Sequence, residues 1–136
     1  MTATVVLEGS LDRQSQRDGG MPHAYYKILV VLYETPGRHL PMGVLAAELR
    51  YSLSRLAHAV ASMEKSGWLR RSRSTDDRRV QFVQLTDRGI RTVRHVSPIQ
   101  AAEVRARAFS RLTAEQVQQL TAITAAVIAG LDSPAF

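Results

Sequence analysis

The fold of this chain is decided between Leu49 and Gly89. Leu49–Arg71 reads LRYSLSRLAHAVASMEKSGWLRR, and Arg70–Gly89 reads RRSRSTDDRRVQFVQLTDRG. The spacing of apolar residues predicts a helix over about Ser52–Ser66, preceded by a turn at Arg50-Tyr51 and stopped by Gly67. Trp68 and Leu69 predict one strand. Val80, Phe82, Val83 and Leu85, set among Gln81 and Gln84, predict a second. Ser74, Thr75, Asp76 and Asp77 carry the turn chemistry between the two.

A helix that stops at Gly and runs into a two-stranded ribbon with a charged tip has the layout of a winged helix. Such a helix fits a major groove, and such a ribbon reaches the flanking backbone or minor groove. Arg70, Arg71, Arg73, Arg78 and Arg79 crowd the ribbon. Guanidiniums gathered on one hairpin repel each other. Against phosphate they gain bidentate contacts and counterion release.

Charge is placed accordingly. The 136 residues carry a net charge of +6. Arg50–Arg94 holds 11 Arg or Lys and 4 Asp or Glu, a net of +7, so the remainder is slightly acidic. This asymmetry is the footprint of a polyanionic partner rather than of a uniformly solvated surface. A hydrophobic content of 45% is enough for one packed domain. The chain has no cysteine, which excludes disulfides, thiolate metal sites and a cysteine redox sensor. No apolar run approaches the ~18 residues of a membrane span. The opening MTATVVLEGSLDRQ lacks the plan of a secretory signal, so a cytoplasmic protein is expected.

Working outward, residues 3–17 read as a short helix with Val5, Val6 and Leu11 on one side, ended by Asp18-Gly19-Gly20. Pro22 suits a helix start. His23–Glu34 follows, with Tyr25, Ile28, Leu29 and Leu32 on a core face, and Thr35-Pro36-Gly37 stops it. Leu40, Val44, Leu45 and Leu49 predict a helix over Leu40–Arg50, the first of a helix-turn-helix, with Arg50-Tyr51 standing where such turns usually carry Gly. In the next helix Leu53, Leu56, Val60 and Met63 form the expected buried stripe. Ser52, Ser54, Arg55, His58, Ala59 and Ser62 face out. That small, polar outer face suits contact with base edges, foremost by Ser54 and Arg55.

Thr86 or Asp87 caps a long helix towards Ala108, in which Pro98 predicts a kink or break. Thr113 and Gln116 form a capping box for the last helix. Val117, Leu120, Ile123, Val127 and Leu131 follow at near-heptad spacing. A small winged core cannot cover both this helix and the one before it, so a partner subunit is a more economical cover than intramolecular packing alone.

Asp77-Arg78-Arg79, then Leu85-Thr86 and Gly89, resembles the D-x-R…L-T-x-x-G wing signature of the MarR (multiple antibiotic resistance regulator) family. LAAEL and SLSRLAHAVASMEKSGWLRR resemble its helix-turn-helix, and RLTAEQVQQLTAI its last dimerisation helix. The resemblance covers roughly Pro22–Leu131. It implies a mainly α fold with a small β-hairpin wing: a winged helix-turn-helix with N- and C-terminal dimerisation helices. Residues 1–21 and 97–136 would dimerise, and residues 22–96 would bind DNA.

By the same resemblance the protein is a homodimeric transcriptional regulator that reads a pseudopalindromic operator in double-stranded DNA and represses by excluding polymerase. Arg79 would enter the minor groove, oriented by an ion pair with Asp77. Ser52, Ser54, Arg55 and His58 would lie in the major groove, with the wing arginines on phosphate. A small aromatic or phenolic effector would release the DNA from a cleft bordered by His23, Tyr25 and Tyr26. For Tyr25 and Tyr26 the favoured reading of the residues themselves is ordinary core and surface aromatics.

Two other functions compete. A winged helix can serve as an architectural or protein–protein module without specific DNA readout, but such a module has no need of the Asp77/Arg79 tip. An enzyme finds no support: there is no P-loop, nucleophile elbow, dinucleotide fingerprint or paired-carboxylate site. His23, His39, His58 and His95 are too scattered for a metal site, and no cofactor is expected.

Overall fold

The computed structural model describes residues 3–132. In chain order it contains α1 (Ala3–Gly19), α2 (His23–Glu34), β1 (His39–Pro41), α3 (Met42–Leu49), α4 (Leu53–Lys65), β2 (Leu69–Arg73), β3 (Gln81–Leu85), α5 (Asp87–Val104) and α6 (Ala114–Asp132). The strands form one antiparallel sheet in the order β1-β3-β2. The mainly helical winged architecture expected from the sequence is the one observed. Among the described residues no helix is long and apolar enough to cross a membrane.

Helix α2 supplies the centre of the core. Tyr26, Ile28, Leu29 and Leu32 are buried along one face, and Tyr25 packs at the margin. Leu45 and Ala46 of α3, Leu56, Val60 and Met63 of α4, Val83 and Leu85 of β3, and Val93 and Val96 of α5 close around it. Burying such side chains stabilises by roughly 1.5–3 kcal/mol each.

The turn between α3 and α4 needs no glycine. Arg50 itself takes the left-handed conformation, φ 55° and ψ 38°. Its N–H bonds to the Ala47 carbonyl at 3.1 Å, and the Tyr51 N–H to the Ala46 carbonyl at 2.9 Å. That is a Schellman closure, and it satisfies carbonyls that the helix end would otherwise leave unpaired.

The structure corrects several expectations. Leu40 does not begin a helix. It lies in β1, paired with Val83, because Pro41 follows and disfavours helical geometry at the residue before it. Val44 is exposed, since α3 is short and its core face is carried by Leu45 and Ala46. No break occurs at Pro98: α5 runs through it to Val104 and widens only afterwards, in a π turn at Arg105–Phe109. Pro98 and Arg94 both lie on the exposed side, where water can take the carbonyl that proline leaves unpaired.

Helix α1 is longer than expected and turned the other way. Val5 and Val6 are exposed, whereas Ser10, Gln14 and Ser15 are buried. Gln100 of α5 meets Gln14 and Ser15, its Nε2 lying 3.1–3.3 Å from Gln14 Oε1, Ser15 Oγ and His23 Nδ1, which share its two hydrogens, and Ser10 Oγ donates to Glu103 Oε1 at 3.2 Å.

Candidate nucleic-acid interface

Helix α4 presents its N-terminal half to solvent. Ser52 is the N-cap, and its Oγ accepts from the Arg55 N–H at 3.1 Å. That hydroxyl therefore serves the helix first. Ser54, Arg55 and His58 are exposed as expected. Ala59 is buried instead of facing out, and Leu53 is 59% exposed instead of buried. Periodicity places Leu53 in line with Val60, but the first turn projects past the core, so the described residues leave most of it uncovered. An exposed leucine beside Ser54 offers an apolar contact of the kind that reads a thymine methyl. The sequence reading missed this residue.

Arg55 stands at the third helical position. A cation in the first turn opposes the helix dipole, at a cost of about 0.3–1 kcal/mol where exposed. No acidic residue offsets it in that turn. Its guanidinium lies over the Tyr51 ring, 3.9 Å from the centroid. Among the described residues it has no carboxylate partner.

In the wing the strand period of two separates the arginines. Leu69, Arg71 and Arg73 pair with Leu85, Val83 and Gln81, and Arg70 and Ser72 with Gln84 and Phe82. Arg71 therefore shares a face with the core residues and turns towards α4. Glu64 Oε2 accepts from Arg71 Nε at 2.9 Å, and Glu64 Oε1 accepts from the Arg71 backbone N–H at 3.2 Å. This clamp joins the end of α4 to the wing. Arg70 on the other face donates to Gln84 Oε1 at 2.9 and 3.1 Å. Arg73 and Arg78 are exposed.

The wing tip is closed by its own side chains. Ser74 Oγ accepts from the N–H groups of Asp76 and Asp77 at 3.2 and 3.3 Å. Asp77 Oδ1 accepts from the Arg79 backbone at 3.0 Å and from Arg79 Nε at 3.2 Å, and Oδ2 from an Nη at 3.3 Å. These bonds hold the Asp77 carboxyl below its ordinary pKa. Arg79 is nevertheless 91% exposed, so it is oriented without being covered.

The wing base explains the rest of the motif. Thr86 donates to the Gly67 carbonyl at 2.6 Å and accepts from the Gly89 N–H at 3.1 Å, capping α5. Gly89 sits so close that a Cβ there would stand 2.4 Å from the Trp68 carbonyl oxygen.

The model of the MarR family matches residues 19–80. A MarR-family transcriptional regulator of Streptomyces coelicolor, Sco3205, solved in complex with DNA, is 47% identical. The match covers 96% of this chain and 82% of that one, with a TM-score of 0.91. The chain belongs to the MarR family. AbsC, another MarR-family regulator of the same organism, is 32% identical over 94% of this chain and 86% of its own, with a TM-score of 0.87. The transcriptional repressor MprA of Escherichia coli K12 is 27% identical over 83% of this chain but only 64% of its own length. The D-x-R and L-T-x-x-G residues of this MarR-family chain thus occupy the wing tip and wing base described above.

Of the three residues expected at an effector cleft, His23 and Tyr26 stack with ring centroids 6.1 Å apart, but the three do not line one hollow. Tyr26 lines a hollow of about 350 Å³ with Val30, Gln100, Val104 and Phe109. His23 lines a separate groove of about 1030 Å³ with Arg13, Lys27, Arg107 and Arg111. Tyr25 borders neither.

Proposed function

We propose that the chain is a cytoplasmic, homodimeric, sequence-specific DNA-binding transcriptional regulator without catalytic chemistry, acting as a repressor at a pseudopalindromic operator. The observation that carries this reading is Arg79: fully presented at the wing tip, yet held in one direction by Asp77. Residues 22–96 form the DNA-binding unit, and residues 1–21 and 97–136 the dimerisation helices. Ser54, Arg55 and His58, with Leu53 beside them, read bases. Arg73 and Arg78 contact phosphate, Arg70 contacts it while braced by Gln84, and Arg71 acts mainly through its clamp to Glu64. Ser52 contributes as the cap that shapes the reading turn.

Dimeric geometry sets the half-sites one helical turn, about 10 base pairs, apart. The test is fluorescence anisotropy with the promoter region beside the protein's own gene and a scrambled duplex, across a salt series. Wild type is expected to prefer the promoter with a steep salt dependence. Arg79→Ala is expected to weaken that binding at least tenfold. Equal, weak binding to both duplexes, by wild type and variant alike, would favour an architectural module instead.

The groove at His23 supports release by a small anionic aromatic or phenolic effector, because apolar Leu11 and Leu120 face it alongside the cations. Titrating 4-hydroxybenzoate into the protein–promoter complex is expected to lower the anisotropy, and an Arg13→Ala variant to need more of it.

A further inference from the structure

We infer that Tyr51 is a positioning residue for base readout: its ring holds the Arg55 guanidinium flat, so that the N–H edge is presented to one base pair of each half-site. The inference rests on the DNA-reading role proposed for α4 and adds how that helix gains its specificity.

The support is built from the backbone outward. The left-handed Arg50 and the bond from the Tyr51 N–H to the Ala46 carbonyl, 2.9 Å, pin Tyr51 just before the cap of α4. The half-buried Tyr51 ring packs against the core. Arg55 lies one helical turn further on, 3.9 Å above the ring centroid. A guanidinium stacked by its face keeps its in-plane donors free. Those are the donors that match guanine O6 and N7 as a fork. An unsupported arginine would have to give up rotamer freedom on binding, whereas a stacked one has given it up already.

The pair makes poor sense as a stabilising device. A glutamate at the Arg55 position would complete a capping box with Ser52 and favour the helix dipole. Arg55 does neither. Its guanidinium is exposed and has no carboxylate partner among the described residues.

The experiment starts from a pool of duplexes randomised over about 20 base pairs, two helical turns, from which wild type selects its preferred sequence. Affinity is then measured for that duplex and for each single base-pair substitution, using wild type, Tyr51→Phe, Tyr51→Met, Arg55→Ala and the double variant Tyr51→Met/Arg55→Ala. Arg55→Ala is expected to flatten the preference at one base pair of each half-site. Tyr51→Met, which keeps bulk but loses the ring, is expected to lose about two- to fivefold of discrimination at that same base pair, with its salt slope unchanged. Tyr51→Phe is expected to retain the preference, and the double variant to be no worse than Arg55→Ala.

Uniform weakening at every base pair by Tyr51→Met, or losses that add in the double variant, would overturn the inference. So would unaltered discrimination by Tyr51→Met where Arg55→Ala is relaxed, which leaves the regulator reading intact. A wild type with no preferred sequence would overturn both. One measurement does not depend on any variant folding. In the free wild-type protein the Arg55 side-chain protons are expected upfield from the ring current of Tyr51, and random-coil shifts would sink the idea.

Discussion

At Gly89 an added methyl group would stand 2.4 Å from backbone, not from a side chain that could swing away. Gly89→Ala therefore forces the start of α5 off the wing base. We expect it to lower unfolding stability by about 1–3 kcal/mol, the usual range for overpacking, read as a drop in the urea midpoint. A change within ~0.5 kcal/mol, the ordinary surface range, would contradict the packing described. His23 makes a second residue-scale case. Its Nδ1 accepts from Gln100, which requires the neutral ring. Burial and then Lys27 lower its pKa, against Asp12 and Glu8. A folded-state pKa below the unfolded value gives stability that is present above the ordinary value of 6.5 and lost as pH falls through the folded pKa. Thermal unfolding between pH ~7 and ~5 should show a steeper loss for wild type than for His23→Gln. Parallel curves would mean that His23 carries no such linkage.

At the scale of elements, some boundaries were written locally and others were not. Helix α6 opens with the capping box expected from the sequence: the Gln116 N–H donates to Thr113 Oγ1 at 3.2 Å, and the Thr113 N–H to Gln116 Oε1 at 2.9 Å. Thr113→Ala should cost about 1 kcal/mol and speed hydrogen exchange at the Gln116 amide while leaving α2 amides unchanged. Helix α4, Gly67, the two wing strands and the Thr86 cap were legible for the same reason, since each depends on residues within a few positions. Strand β1 was not. Three residues carry no period, and only Leu40 standing before Pro41 pointed to extended backbone. Helix α1 was legible as a helix but not in its orientation, because its apolar residues stay exposed while polar ones are buried.

The molecule carries an apolar face that is largely exposed among the described residues. Leu120, Ile123, Val127, Ile128 and Leu131 of α6 are 44–71% exposed, and Val5 and Val6 of α1 are exposed too. Under the dimer proposed above, these surfaces meet a second copy. Ile123→Glu should shift sedimentation equilibrium from dimer to monomer. Losing two-site engagement should then weaken operator binding about a hundredfold or more, even though every base-reading residue is intact. A variant that stays dimeric would show that α6 is covered in some other way.

By itself the sequence determined the winged helix-turn-helix, the caps, the basic wing and the Asp77/Arg79 tip. Each of these is encoded by side chains that act on neighbours one turn or one hairpin away. The tertiary structure alone decided which of those residues are free to act. Leu53 is exposed because the core ends before it, and Arg71 is taken by Glu64 because strand register turns it inward. The polar face of α1 is buried because Gln100, 86 positions from Gln14, meets it. Contacts across such separations leave no periodic trace in the chain, so only the packed molecule shows them.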